Sequence, residues 1–483
     1  MRNEGLGGWP ARRAMISPDR TAMIFDDRRI TYGEFAGRVT KLAAQLRASG
    51  VDEGDRVGYL GPNHPAFVET MFATHMLGAV FVPLNFRLAA PEIAYMIADA
   101  GITLLVQAPG TAEVTGIRTV SLESEYEPWL AAGATDPIDV PVSPETVALI
   151  LYTSGTTGRP KGAMLSHANM IWNTYNVLVA VDVAGSEVTL ISAPLFHVAA
   201  LGQTLLPTFI KGGCSVLMSA WDVDLCYSLI ARHRITWMFG VTTMFASLAQ
   251  SPKWAAADLS SVRSLMSGGA PIPAGLIHTY QERGLVFCQG YGLTETSPGA
   301  TFLEAGESVR KAGSAGVPMF FTSVRVVRPD SSDGPGEVLI KGPNVTPGYW
   351  QNPQATSAAL DDGWFHSGDV ATQDNEGYLY IVDRVKDMFI SGGENVYPAE
   401  VENAIFDHPA VAEVAVIGVP DEKWGEVGKA FLVLRPGADL DPEELRGFLL
   451  GRLAKYKIPA HFQAVTGLPR TASGKVQKAK LRG

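Results

Sequence analysis

Cysteine is scarce. Cys214, Cys226 and Cys288 are the three in 483 residues, and no two stand at a pairing or metal-binding spacing. That excludes a disulfide framework and a cysteine-rich zinc site, and it points to a reducing cytoplasm. Long apolar runs are missing too: none approaches the ~20 residues of a spanning helix. "LGAVFVPLNF" at 77–86 reads instead as a buried strand, so membrane contact is at most peripheral. The first twenty residues lack the apolar core of a signal peptide. Basic residues are outnumbered, 39 against 49 acidic, giving a net charge of −10. A nucleic-acid partner is therefore not expected, because such affinity comes mainly from neutralised phosphates. No repeat or low-complexity tail is evident, and no Ser-His-Asp or Cys-His arrangement supplies a nucleophile.

What is present is an α/β pattern in a chain long enough for two to four domains. "TYGEFAGRVTKLAAQLRASG" predicts a helix capped by Thr31, with Glu34 three residues on and a stop at Gly50. "DRVGYLG" and "AVFVPLN" predict buried strands on either side of a helix around "PAFVETMFATHMLG". That is a parallel sheet covered by helices. "AGATDPIDVPVSPET" reads as a linker, a second α/β pass runs from about 186 to 300, and short strands and turns fill 311–383. In the last hundred residues, "DPEELRGFLLGRLA" predicts a helix with Asp441 as cap and Pro442 at its first position. Leu445, Phe448, Leu449 and Leu453 would share one face. "VAEVAVIGV" and "KAFLVL" supply strands.

Chemistry concentrates in a few polar stretches. "LYTSGTTGRPKGAMLSH" (151–167) sets three glycines, the hydroxyls of Thr153, Ser154, Thr156 and Thr157, and Lys161 between apolar flanks, a composition suited to a phosphate. It is not the common P-loop: Pro160 precedes the lysine and Gly162 follows it, so the loop cannot run into a helix there. "QGYGLTETS" places Thr294 and Glu295 after a glycine turn, a pair able to hold magnesium and phosphate. Taken alone it reads as a turn with a solvated glutamate. "SGGAP" (267–271) reads as a turn whose backbone can meet a flat base. Asp369 in "GWFHSGDVA" suits two ribose hydroxyls or, more commonly, a backbone cap. "DRVKDMFISGGENVYPAEVE" reads as a solvated hairpin, and "PRTASGKVQKAKLRG" as a basic tail carrying Lys475.

Together, from about Thr31 to Lys478, these stretches resemble the adenylate-forming superfamily of acyl-CoA synthetases, peptide-synthetase adenylation domains and beetle luciferases. The likeness is nearest to bacterial fatty-acyl-CoA ligases of the AMP-forming kind. The resemblance implies a large N-terminal domain, 1–383, of two helix-covered α/β subdomains plus a small β-rich one. A small mobile α+β C-terminal domain, 384–483, would follow. It implies ATP, Mg2+ and coenzyme A as cofactors and a small-molecule carboxylic acid as substrate. Thr153, Ser154, Gly155, Thr156, Thr157 and Lys161 would wrap the β,γ-phosphates. Thr294 would contact phosphate and Glu295 would hold magnesium. Gly269, Ala270 and Pro271, with Tyr291, would surround adenine, and Asp369 and Arg384 the ribose. Lys386 would be the hinge, and Lys475 the catalytic lysine at the α-phosphate and acyl carboxylate. Gly392, Gly393, Glu394 and Asn395 would line the thiol tunnel, and His197 would be the aromatic gate beside the acyl site.

Amino-acid-activating relatives keep an aspartate at the position of His197, which argues against an α-amino acid. "HVAALGQTLL" and "WMFGVTTMF" would line the acyl pocket and are mainly apolar, so a hydrophobic and first of all a fatty carboxylate is expected. The family commonly has proline where Thr242 stands. "SGGENVYP" resembles the coenzyme A users; the alternative is an acyl-AMP ligase that loads an acyl-carrier protein.

Overall fold

In a computed structural model, the chain is described over residues 2–153, 160–269, 272–285, 287–328, 334–384, 387–391, 394–421, 424–450, 452–453, 455–470 and 476–482. It divides into two compact units, 1–324 with 340–365, and 325–339 with 366–483. The second unit thus takes in 325–339 and 366–383, both within the N-terminal domain expected from the sequence.

The first unit holds two large sheets. The segment DRVGYLG becomes the strand Arg56–Leu60 and AVFVPLN the strand Val80–Leu84. The two run parallel, joined by the helix Pro65–Met76, which is buried along its whole length. They form the centre of a seven-stranded sheet in the order Gly348–Tyr349, Lys161–Ser166, Val147–Thr153, Val80–Leu84, Arg56–Leu60, Ile102–Gln107 and Arg118–Ser121. A nine-stranded sheet carries the second α/β pass. Its inner strands Phe287–Gly292, Ser264–Ser267, Trp237–Gly240, Val188–Ile191, Cys214–Leu217 and Thr21–Phe25 are parallel neighbours in that order. The capped helix is found as Tyr32–Ala48, with Thr31 Oγ1 accepting from the Glu34 N–H at 3.1 Å. Its apolar face, Phe35, Val39, Leu42 and Leu46, enters a core that also receives residues from both sheets.

Five asparagines tie the loops of this unit to its rigid elements. The helix His167–Ala180 buries Asn169, Asn173 and Asn176. Spacings of four and then three set all three on one face. Asn169 Nδ2 donates to the carbonyls of Pro343 and Val345 at 2.8 and 2.9 Å. Asn173 donates to Gly202 O at 2.9 Å and accepts from Gly299 N–H at 3.0 Å. Asn176 accepts from Phe321 N–H at 2.8 Å and donates to Thr322 Oγ1 at 2.9 Å. Asn344 donates to the carbonyls of Thr296 and Gly299 at 2.7 and 2.6 Å. Asn63, from the turn before Pro65–Met76, donates to Ala193 O and Met218 O and accepts from Leu195 N–H at 2.7 Å. Irregular backbone buried under loops must find partners, and these amides supply both donor and acceptor.

The second unit contains a five-stranded sheet of Glu394–Val396, Phe389–Ser391, Gly425–Leu434 and Val411–Asp421, with His461–Ala464 parallel to Gly425–Leu434. Helices Pro398–Phe406 and Pro442–Leu449 close one core on it through Val401, Ile405, Leu445 and Leu449. The second helix starts as expected, Asp441 accepting from Glu443 N–H at 3.0 Å, but it stops at Leu449. Leu453 therefore lies beyond the helix, partly buried against the same core. Most of a small sheet, Gly336–Lys341, Trp364–Gln373 and Leu379–Arg384, also belongs to this unit. Among the described residues no helix is long and apolar enough to cross a membrane.

Two outcomes are expected. Asn344→Ala strands the Thr296 and Gly299 carbonyls in a buried site and should destabilise the protein by about 2–4 kcal/mol, read as a fall in the urea midpoint. The second concerns His75, fully buried, whose Nε2 lies 3.0 Å from Ala148 O and whose ring stands edge-on to His167 at 4.9 Å. Burial pushes the His75 imidazole down to about 4. The unfolded chain binds that proton from about pH 6.5 downward while the native chain does not. The contribution is complete above about 6.5 and is lost progressively towards 4. The urea midpoint should fall across that window, and less steeply in His75→Gln.

Candidate active site

The polar run after residue 153 lies in sequence between two paired strands. Strands Val147–Thr153 and Lys161–Ser166 pair antiparallel with Thr153 opposite Lys161. The chain therefore leaves Pro160 as a strand, as the proline requires, and not as the helix of a P-loop. Thr153 Oγ1 donates to the Lys161 carbonyl at 3.4 Å. Ser154, Gly155, Thr156 and Thr157 lie outside the described residues. The Lys161 ammonium stands 5.6 Å from the centre of the Tyr349 ring.

Glu295 departs from the solvated turn that its own stretch suggested. After the strand Phe287–Gly292 the chain makes one 3₁₀ turn, Thr294–Thr296, that leaves Glu295 only 7% exposed. Gly292 permits the turn, since a Cβ there would sit 1.7 Å from the Pro298 carbonyl. The Tyr349 hydroxyl donates to Glu295 Oε1 at 2.9 Å, and the Thr346 N–H donates to the Glu295 carbonyl at 2.7 Å. Burial first, and then the adjacent carboxylate, hold the Tyr349 phenol well above its usual range, so it stays a donor.

Other expected positions stand at or just beyond the carboxyl ends of the parallel strands, where open α/β sheets bind ligands. His197 follows Val188–Ile191, in the loop that Asn63 secures through Ala193 and Leu195. Gly269, at φ +85°, follows Ser264–Ser267, and Tyr291 lies in Phe287–Gly292 opposite Thr301. The "HVAALGQTLL" stretch contains a π-helix, Ala200–Leu205, with every residue buried, a form frequent at functional sites. "WMFGVTTMF" supplies the strand Trp237–Gly240 and the helix Thr242–Gln250. Thr242 is the first residue of that helix, the position proline favours. Bare backbone is needed nearby: a Cβ on Gly268 would lie 3.1 Å from Gly290 O and 3.4 Å from Phe239 Cε2.

Asp369 and Arg384 belong to the second unit, where they are register partners in the strands Trp364–Gln373 and Leu379–Arg384. Asp369 is buried, and its N–H donates to Ser367 Oγ at 3.0 Å. Glu394 and Asn395 open the strand Glu394–Val396, one arm of a hairpin with Phe389–Ser391. That hairpin is not the solvated one expected, since Phe389 and Val396 are buried in the core. Ala270, Pro271, Lys386, Gly392, Gly393 and Lys475 lie outside the described residues.

The residues that sequence reasoning missed are Tyr349, Thr346 and the five asparagines. A signal was present in "HANMIWNTYNV", where three amides recur at helical spacing in an apolar helix. "GPNVTPGYW", an amide, a hydroxyl and a phenol among turn residues, carried another. Among the described residues no three of His, Cys, Asp and Glu converge. One buried carboxylate fits magnesium, which takes few protein ligands and shares the rest with phosphate and water.

The model of the AMP-binding enzyme matches residues 11–350, and that of the AMP-binding enzyme C-terminal domain residues 400–475. The chain is 52% identical to a feruloyl-CoA synthase of an Amycolatopsis species over 100% of this chain and 99% of the relative. It is 38% identical to a long-chain-fatty-acid–CoA ligase of Mycobacterium tuberculosis over 98% and 97%. Among solved structures, the o-succinylbenzoate CoA synthetase of Bacillus subtilis in complex with its acyl-adenylate intermediate superimposes with a TM-score of 0.90. It is 34% identical, covering 99% of this chain and 98% of that one. With these two family models matching 11–350 and 400–475, the chain belongs to the AMP-binding enzymes, the adenylate-forming superfamily of acyl-CoA synthetases.

Proposed function

We propose that the protein is an AMP-forming ligase that joins a hydrophobic carboxylic acid to coenzyme A in the cytoplasm. The observation that carries the reading is that Lys161, which follows the polar loop, lies near the Tyr349 ring while Glu295, from the "YGLTET" turn, accepts from the Tyr349 hydroxyl. A cation and a buried carboxylate held by one phenol suit a triphosphate and its metal. The apolar stretches around His197 and Phe239 favour an uncharged acyl body. A fatty acyl group satisfies that, and so does an aromatic one. The feruloyl-CoA synthase relative, at 52% identity, moves the first choice to an aromatic acid.

A carboxylate is a poor acyl donor because its leaving group would be oxide. Its oxygen attacks the α-phosphorus of ATP, the bond to the β-phosphate oxygen breaks, and pyrophosphate leaves. The thiol of coenzyme A then attacks the acyl carbonyl, loses its proton and expels AMP. Nucleophile and target are both anionic in the first step, so the protein's work is screening and alignment. Lys161 and Lys475 supply positive charge, Thr153 and Thr294 supply hydroxyl donors, and Asp369 with Arg384 holds the ribose. Magnesium, carried by Glu295, would neutralise charge on the phosphate oxygens. Lys475 serves the first step, the turn Gly392–Asn395 the second, and Lys386 is the hinge between the two arrangements.

The test is a panel of aromatic, fatty and dicarboxylic acids with ATP and magnesium, scored for pyrophosphate with and without coenzyme A. Pyrophosphate and AMP should form in equal amounts, fastest with an aromatic acid, and turnover should need coenzyme A. ADP as the product would refute the mechanism. Turnover with a carrier protein that bears a free phosphopantetheine thiol, and none with coenzyme A, would reassign the acceptor. Lys475→Ala should slow adenylate formation by ~10²–10³-fold, as loss of one preorganised donor does. It should still convert supplied acyl-adenylate and coenzyme A to thioester. Equal loss in both half-reactions would remove the division of labour.

A further inference from the structure

Lys161 and Glu295 come from different sheets, yet one short segment sets the distance between them. The strand Gly348–Tyr349 pairs antiparallel with Lys161–Ser166, Tyr349 opposite Ala163 and Gly348 opposite Met164. The Trp350 N–H donates to Gly162 O at 2.8 Å, and Thr346 Oγ1 donates to Met164 O at 2.6 Å. These bonds anchor the segment to the lysine strand. On its other side the Thr346 N–H holds the Glu295 carbonyl, and the Tyr349 hydroxyl holds Glu295 Oε1 at 2.9 Å. Gly348 is required for the path: its φ is +139°, and a Cβ would sit 2.5 Å from Thr356 Cγ2.

A glutamate's terminal torsion is broad, so its backbone alone does not orient its carboxylate. Magnesium demands near-octahedral geometry at short distance and tolerates misdirected ligands poorly. We propose that Tyr349 is a positioning residue: its hydroxyl fixes the Glu295 carboxylate for the metal, while its ring seats the Lys161 ammonium for the phosphates. The inference rests on the magnesium and phosphate roles proposed above for those two residues. Tyr349 itself touches neither metal nor nucleotide in this scheme. It belongs to the class of outer partners whose loss weakens metal binding by ~10-fold or more.

The test is calorimetry of α,β-methylene-ATP, which cannot release pyrophosphate, binding to the full chain with and without magnesium. In the wild type, magnesium should tighten nucleotide binding. In Tyr349→Phe, which keeps the ring over Lys161 and removes only the hydroxyl, that gain should shrink by ~10-fold. Binding without magnesium should stay unchanged. Conversion of supplied acyl-adenylate to thioester should also stay unchanged, which separates positioning from misfolding. In a Glu295→Gln background, Tyr349→Phe should add no further loss. A normal magnesium gain in Tyr349→Phe would overturn the positioning role alone. A wild type with no magnesium gain would overturn the metal assignment, and this inference with it.

Discussion

Three amides on one face of a single helix hold much of the active-site backbone in place. Asn169 bonds to the 343 and 345 carbonyls, Asn173 to Gly202 of the π-helix and to Gly299 at the start of a strand, and Asn176 to 321–322. Buried loops carry backbone groups that no ladder satisfies, and each left unpaired would cost roughly 1–3 kcal/mol. An asparagine offers a donor and an acceptor on a short stem, so it can stand in for a neighbouring strand. Asn344 repeats the device from the loop side, and Asn63 does so for the loop leading to His197. The turns that carry Glu295 and His197 are thus held by buried amide bonds from Asn344 and Asn63.

This division between frame and chemistry explains the shape of the motifs. Adenylate formation needs no protein nucleophile, only charges and dipoles held where two anions must meet. Glycine-rich loops can supply dipoles at close range, but they do not hold their own shape. Here the loop is closed by an antiparallel pair of strands, Thr153 opposite Lys161, and a third short strand adds the phenol that reaches Glu295.

Much of the frame was legible in the sequence because its signals are local. Thr31 with Glu34, the buried strands around "PAFVETMFATHM", and Asp441 with Pro442 each depend on neighbours within a turn or two. The helix end at Leu449 was misjudged because apolar spacing continued to Leu453 while the backbone did not. Glu295 was underrated for the opposite reason. Its burial comes from Tyr349 and Thr346, some fifty residues away, and nothing in "YGLTET" by itself announces them. The asparagines of 167–180 were visible as a pattern, but their partners are distant backbone groups that leave no mark on local sequence. The acyl group was the least legible, since apolar stretches such as "HVAALGQTLL" and "WMFGVTTMF" suit a fatty chain and an aromatic ring alike.

The central claim is that the substrate's own oxygen attacks the α-phosphorus, and isotope transfer tests it most directly. An accepted acid labelled with oxygen-18 in both carboxylate positions is turned over with ATP, magnesium and coenzyme A, and the AMP is analysed by mass spectrometry. One labelled oxygen should appear in AMP and the other in the thioester carbonyl. Unlabelled AMP, with the label found in pyrophosphate or inorganic phosphate, would contradict it.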